Sequence, residues 1–134
     1  MKIELPYPAA PLWPNKRSHW AKKHTATKKA RGDAYSLAGA ATSPIYTDTP
    51  IAVKITVGGK PKGPMPDRDN CIAAAKAYLD GIADAIGIND RDFDAPKVVF
   101  SSVRNSTFVI EIGDRPVNVT DKTVNAAWDK AMGG

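Results

Sequence analysis

Residues 70–86, which read NCIAAAKAYLDGIADAI, decide the fold because they predict one long amphipathic helix. The apolar residues of this segment recur at alternating spacings of three and four, which places them in a single stripe along a helix. They are Ile72, Ala75, Leu79, Ile82 and Ile86. Gly87 follows directly, and glycine is the commonest residue at the end of a helix. One buried stripe requires an apolar surface opposite it, so we expect a sheet elsewhere in the chain.

The segments on either side supply that sheet and a second helix. Alternating apolar and polar residues predict half-buried strands, whereas the Ala-, Lys- and Arg-rich segment without proline predicts a helix that Gly32 would weaken or break. The predicted elements are a strand at 2–6, a helix at 20–41, a strand at 51–57, and two strands at 98–103 and 108–112 joined as a hairpin by a turn at Asn105-Ser106.

The element order is therefore β-α-β-α-β-β, which predicts one domain of the α/β (α+β) class with a mixed sheet and helices packed against it. We expect this domain to cover residues 1–114. Residues 115–134 are polar and form an extension, with one short helix at 124–132 or a tail without regular structure.

The composition of the 134 residues, with 43% hydrophobic and 25% charged, is that of an ordinary soluble domain. No apolar run approaches the roughly 20 residues that cross a bilayer, and the N-terminus lacks the apolar stretch of a secretory signal. Cys71 is the single cysteine, so no internal disulfide is expected. The sequence thus predicts a cytoplasmic protein that does not interact with membranes, with Cys71 as a small buried residue.

Charge is distributed unevenly along the chain, whose net charge is +5. Residues 6–32 contain seven basic and no acidic side chains, whereas residues 67–94 contain seven aspartates. A basic segment suits a polyanion such as DNA, and a group of aspartates suits a cation. The simpler alternative is that two oppositely charged surfaces partly pair with each other.

Pro66-Asp67-Arg68-Asp69-Asn70 contains the first candidate site. If this stretch is extended, Asp67 and Asp69 point to the same side and repel each other unless a cation lies between them. Carboxylate oxygens of this kind suit Mg²⁺. Alternatively, Asp69 or Asn70 caps the following helix.

Lys76 and Asp80 extend this candidate site along the helix. At about 100° per residue they lie within about 40° of each other, and the direction of Asp69 falls between them. They would form at least an i,i+4 ion pair. A lysine beside carboxylates is also where a phosphoryl-transfer enzyme stabilises charge in the transition state.

Five segments in this order resemble the RusA-type Holliday junction resolvases of bacteria and their prophages. They are Leu5-Pro6-Tyr7-Pro8, Pro14-Asn15-Lys16-Arg17-Ser18-His19-Trp20, Pro66-Asp67-Arg68-Asp69-Asn70, Lys76-Ala77-Tyr78-Leu79-Asp80-Gly81 and Gly87-Ile88-Asn89-Asp90. The resemblance extends from the N-terminus to about Asp114. The stretch between Asn70 and Lys76 is about three residues longer than in the founding members of the family, and the usual acidic pair is here Asn89-Asp90.

The resemblance implies a homodimeric, Mg²⁺-dependent endonuclease that cuts branched DNA such as a four-way junction, with Mn²⁺ as a substitute metal and no organic cofactor. It implies metal binding by Asp67, Asp69 and Asp90, with Asp92 as the competitor of Asp90 for the third ligand. Lys76 completes the implied catalytic set. The alternatives are a branched-DNA-binding protein without turnover, and a general nuclease or RNase.

The candidate DNA-binding residues combine basic side chains with an aromatic stacking surface. They are Asn15, Lys16, Arg17, His19, Trp20, Lys22, Lys23, Lys28, Lys29, Arg31 and Arg68. Trp13 and Tyr7 lie nearby in the sequence, and Trp13 and Trp20 would alternatively belong to the core or to a dimer interface.

Overall fold

A computed structural model describes residues 1–14, 19–41 and 50–113, which form a four-stranded mixed sheet and two helices. The helices are α1 (Trp20–Ala40) and α2 (Arg68–Ile86), and the strands are β1 (Lys2–Pro6), β2 (Val53–Gly58), β3 (Lys97–Phe100) and β4 (Thr107–Ile112). Short 3-10 helices lie at Ala10–Leu12 and Asp90–Asp92. The predicted fold class and element order are confirmed. The predicted extension at 115–134, with its helix at 124–132, lies outside the described residues.

The strand register explains why one face of the sheet is buried. Ile3, Ile110, Ile55 and Val98 are paired across the four strands, so their side chains point to the same face. All four are buried and belong to the same core as the inward residues of the two helices. Lys54, which precedes Ile55 in β2, lies on the opposite face and is exposed, because side chains alternate between the two faces along a strand. The molecule therefore has two layers, with the helices on one side of the sheet.

The predicted hairpin of the last two strands is wrong. The sheet order is β1-β4-β2-β3, so β3 pairs in parallel with β2 while β4 lies between β1 and β2. The connecting segment crosses the end of β2, where the Ser101 amide donates to the Val57 carbonyl at 2.9 Å and the Ser106 amide donates to the Gly59 carbonyl at 3.0 Å. Alternation predicts which face of a strand is buried but does not identify its neighbours. β4, which has three buried residues against one in β3, takes a central place beside β2.

Strand ends also differ from the prediction. β3 stops at Phe100 instead of extending to Val103, and β2 begins at Val53. Ile51 instead forms an isolated parallel bridge with Phe93. This bridge ties the chain before β2 to the segment that follows the second 3-10 helix.

The two helices approach each other closely through small residues. Ala30, Ala34 and Ala38 are the buried residues of α1, and Gly81 of α2 lies beside Ala34. A Cβ at Gly81 would overlap the Arg31 carbonyl oxygen and lie 3.1 Å from the Ala34 Cβ. Gly32 does not break α1, because its position faces open space and a helix tolerates an isolated glycine at a cost of about 1 kcal/mol.

Aromatic residues close the core near β1. Trp13 is buried, stacks on Tyr7 with a centroid distance of 5.1 Å, and donates from its indole Nε1 to the Pro8 carbonyl at 3.0 Å. It is therefore a core residue, as one of the alternatives predicted. Trp20, in contrast, is 75% exposed. Within the described residues, no helix is long and apolar enough to cross a membrane.

Candidate functional site

Helix α2 places a polar strip beside its buried face. Asp69, Lys76 and Asp80 lie within this one helix, so the spacing that placed them on one face in the sequence holds in the structure. The opposite side of α2 is buried through Ala75, Ile82 and neighbouring residues. The strip therefore runs along the edge of the core.

Lys76 is the centre of the strip. Its Nζ lies 3.3 Å from Asp80 Oδ1 and 3.4 Å from Asp90 Oδ2. The hydrogen bond to Asp80 is the main cause that raises the pKa of Lys76, and Asp90 acts in the same direction, against a smaller opposing effect of burial. Lys76 thus remains a cation at neutral pH and is suited to binding an anion rather than to accepting a proton.

The structure of the 3-10 helix brings Asp90 to this lysine. Gly87 ends α2 in the left-handed conformation, with φ of 74°. Asn89 then caps the 3-10 helix, and its backbone amide donates to Asp92 Oδ2 at 3.2 Å. The Asp92 carboxylate accepts this hydrogen bond in the capping box, whereas the Asp90 carboxylate faces Lys76. Of the two candidates for the third acidic position, the one that reaches the strip is Asp90.

The start of α2 differs from the prediction for the aspartate pair. Asp67 and Asp69 do not share an extended stretch, because α2 begins at Arg68 and includes Asp69 in its first turn. The N-cap is Asp67 rather than Asp69 or Asn70, and Asp67 Oδ1 accepts from the Asn70 amide at 3.2 Å. A carboxylate at this position satisfies an amide of the first turn and complements the helix dipole.

Whether these aspartates suit a metal ion depends on the chemistry of their oxygen atoms and on where the side chains are placed. Asp67, Asp69 and Asp90 provide the hard oxygen ligands that Mg²⁺ prefers, and Mg²⁺ needs only one or two protein carboxylates when water and phosphate complete its shell. Residues 69 and 76 are separated by about 10 Å along the helix axis. Among the described residues, no three His, Cys, Asp or Glu side chains are grouped so that they could hold one ion together. The donors therefore fit magnesium chemically, but they do not form a closed three-carboxylate site.

Two cavities meet at Asp80 and Asp90. The first, of about 280 Å³, lies between α2 and the segment after the 3-10 helix. Its lining is mostly apolar and includes Ile72, Leu79, Phe93 and Pro96. The second, of about 290 Å³, is polar and reaches α1. Lys76 lines the first cavity, so its ammonium stands where an apolar cavity opens into a charged one.

Arg31 forms the α1 wall of the second cavity. Its guanidinium pairs with Asp84 at 2.7 Å, and this carboxylate raises the pKa of Arg31, with smaller contributions from Asp80 and Asp90. Arg31, which was predicted to bind DNA, forms an exposed ion pair with the neighbouring helix. Residue spacing does not predict this pair, because its two residues are 53 positions apart.

The other predicted DNA-binding residues lie mainly on α1. Asn15, Lys16 and Arg17 lie outside the described residues. His19 is the N-cap of α1 and accepts through Nδ1 from the Ala21 amide. Lys29 pairs with Asp33 at 2.8 Å. Arg68 packs its guanidinium over the Phe100 ring at 5.1 Å, beside β3. The exposed side chains of α1 in this set are those of Trp20, Lys22, Lys23, Lys28, Lys29 and Arg31.

Two residues of α2 with titratable side chains, Cys71 and Tyr78, are buried. Cys71 is fully buried, as predicted, and burial is the main cause that raises the pKa of its thiol to about 11. Tyr78 donates its hydroxyl to the Pro6 carbonyl at 2.8 Å and ties α2 to β1. Burial also raises the pKa of Tyr78 to about 12. Both residues hold the helix in place and face away from Lys76.

Sequence reasoning missed the apolar cavity. Phe93, Ala95 and Pro96 follow the acidic segment and were assigned no role, although an aromatic residue and a proline after Asp90-Arg91-Asp92 could have indicated an apolar wall. The missing information was the position of this segment opposite Ile72 and Leu79.

Comparison with known proteins identifies a relative of this chain. No protein-family model matches the chain. A protein of Xylella fastidiosa (strain Temecula1 / ATCC 700964), described as "Uncharacterized protein", is 35% identical over 113 residues, which cover 81% of this chain and 72% of the relative. The aligned region thus includes most of both proteins, and the chain belongs to the same family as this Xylella fastidiosa protein.

Proposed function

We propose that the protein is a magnesium-dependent endonuclease of the RusA type that hydrolyses phosphodiester bonds in branched DNA. The observation that carries the proposal is the position of Lys76, whose Nζ lies within 3.4 Å of both Asp80 and Asp90 on the strip that also contains Asp69. The order of the RusA-like segments in the sequence supports the same reaction.

In this proposal the aspartates and Lys76 have different roles. Asp67 and Asp69 provide carboxylates at the start of α2, and Asp90 provides one beside Lys76. Bound magnesium would polarise the scissile phosphate and lower the pKa of a water molecule. Lys76 is held protonated by its two carboxylate neighbours, and its ammonium offsets the negative charge that develops on the phosphate oxygens.

The proposal also includes the substrate surface and assembly. The exposed lysines of α1 and Trp20 would contact the DNA backbone and unstacked bases. A homodimer would place two such sites for paired cuts across a four-way junction. The cytoplasm is the compartment that we propose for this activity.

The test is cleavage of a labelled synthetic four-way DNA junction with Mg²⁺ or EDTA. Asp69→Asn and Lys76→Met should each lower the single-turnover cleavage rate by about a hundredfold or more while junction binding persists. Asp33→Asn is the matched control, because the one salt bridge that Asp33 forms within the described residues is with the exposed Lys29 on α1. This variant should cleave at the native rate.

Different results would favour the alternatives. Tight junction binding without cuts under Mg²⁺ or Mn²⁺ would contradict the proposal and indicate a binding protein on the same fold. Equal cleavage of RNA, linear duplex and junction would indicate a general nuclease. Full activity of Lys76→Met would exclude the lysine from the reaction.

A further inference from the structure

The apolar cavity beside Lys76 has the features of a site for a flat ring. Ile72 and Leu79 line it from α2, while Phe93 and Pro96 line it from the opposite segment. At about 280 Å³ its volume lies just below the range of small-molecule sites, which starts at about 300 Å³. This volume suits a single ring system rather than a length of folded chain.

The charged residues at the rim of the cavity complement a nucleotide. Lys76 presents an ammonium for a phosphate, and it lies at the same end as Asp90. Asp94 is exposed at the lining, and its Oδ1 already accepts from the Ala95 amide. Carboxylates accept hydrogen bonds from the amino groups of bases, and Phe93 offers a ring for stacking. Asp80 also lines the cavity, so its apolar interior has one cation at the rim, which can contact a phosphate, and three carboxylates, which can accept from the amino groups of a base.

We propose that this cavity binds one unstacked nucleobase next to the phosphate that Lys76 contacts. The inference rests on the proposed function and adds a source of substrate selectivity to it. Taking a base out of a duplex costs a few kcal/mol, and this cost is least where the base is already unpaired or poorly stacked. A branch point supplies such a base, so a nuclease that must fill this cavity would select branched DNA without reading an extended sequence.

The experiment uses four-way junctions that contain 2-aminopurine at successive positions around the crossover, with the full-length protein in EDTA. The fluorescence of 2-aminopurine rises when the base leaves its stack, so the readout needs no cleavage. We expect a clear rise at one position for the native protein. Ala73→Phe, which fills the cavity from α2 without changing charge, should abolish the rise and weaken binding about tenfold.

Two further variants distinguish an effect of filling the cavity from an effect of the added side chain on folding. Ala95→Phe fills the same cavity from the opposite wall and should reproduce the loss. Ala40→Phe adds the same side chain at an exposed position in the last turn of α1 and should keep the native fluorescence. Circular dichroism of each variant establishes that the fold is retained.

The possible failures are distinguishable. Junction binding without a fluorescence rise at any position overturns the base site and leaves the endonuclease proposal standing. A rise that survives both filled-cavity variants also overturns the base site, because the base must then leave its stack elsewhere. If both variants change the oligomeric state but not the fluorescence, the cavity is an interface between copies of the chain. Absence of any junction binding overturns both proposals.

Discussion

Asp67 combines a structural role that the geometry shows with the catalytic role that we propose, and two substitutions separate them. Its Oδ1 accepts from the Asn70 amide at the start of α2. Asp67→Asn keeps this acceptor, so the free energy of unfolding should fall by less than about 0.5 kcal/mol, whereas Asp67→Ala should cost about 1 kcal/mol. Under the proposed function, both variants lose junction cleavage. Urea denaturation and cleavage assays on the same preparations measure the two effects.

The asparagine variant decides the question at this residue. If Asp67→Asn cleaves junctions at the native rate, the carboxylate is a helix cap alone and does not bind the metal. If it is both inactive and as stable as the native protein, the charge at Asp67 is needed for the reaction and not for the fold.

The site was predictable from sequence where helical periodicity governs it. The spacing of Lys76 and Asp80 placed them on one face, and the structure pairs them at 3.3 Å. The geometry of Asp67 and Asp69 could not be predicted, because it depends on the residue at which the helix begins. Asp90 faces Lys76 because the Asn89 capping box turns Asp92 away. The i,i+3 spacing of Asn89 and Asp92 is that of a capping box, and this signal could have distinguished Asp92 from Asp90.

At the scale of the elements, Gly81 is the position that sets the approach of α2 to α1. Alanine normally stabilises a helix interior by about 1 kcal/mol relative to glycine. At Gly81 the added methyl would overlap the Arg31 carbonyl oxygen, which is main chain and cannot rotate away. Gly81→Ala should therefore destabilise the protein by about 1–3 kcal/mol, as overpacking does in a close-packed core. Chemical denaturation measures this change.

Gly32→Ala is the matched control for this prediction. Gly32 also lies within a helix, but no atom of another part of the described chain lies within 4 Å of a Cβ built there. The substitution Gly32→Ala should therefore raise the free energy of unfolding by about 0.5–1 kcal/mol. Equal effects of the two substitutions would contradict a close helix contact at Gly81.

The elements themselves were predictable because each has a local pattern, whereas the order of the strands was not. The alternation of Phe108, Ile110 and Ile112 identified the strand and its buried face. Nothing in that pattern distinguishes pairing with β3 from insertion between β1 and β2. Consecutive strands are neighbours in a sheet only about two-thirds of the time, so a turn signal at Asn105-Ser106 was insufficient to predict a hairpin.

At the scale of the whole molecule, exposed lysines lie both on α1 and on the sheet face that the helices leave uncovered. Lys22, Lys23 and Lys28 are exposed on α1, and within the described residues no salt bridge is found for them. If this helix binds the phosphate backbone, replacing all three lysines by glutamine should weaken junction binding. The slope of log K against log salt should fall by up to about 0.9 for each lost phosphate contact. Fluorescence anisotropy in EDTA at several salt concentrations measures the slope.

The matched control removes the same charge from the other side of the sheet. Lys2, Lys54 and Lys97 share the uncovered face, where the first two pair with Glu111 at 3.9 and 3.8 Å. Their replacement by glutamine lowers the net charge equally but should leave the salt slope within about 0.5 of the native value, since only phosphate contacts release counterions. If both triple variants lowered the slope equally, binding would follow net charge and α1 would not be the DNA surface. A loss confined to the α1 variant would place the DNA on the side of the molecule that includes Lys76, because Arg31 of the same helix lines the cavity shared with Asp80 and Asp90.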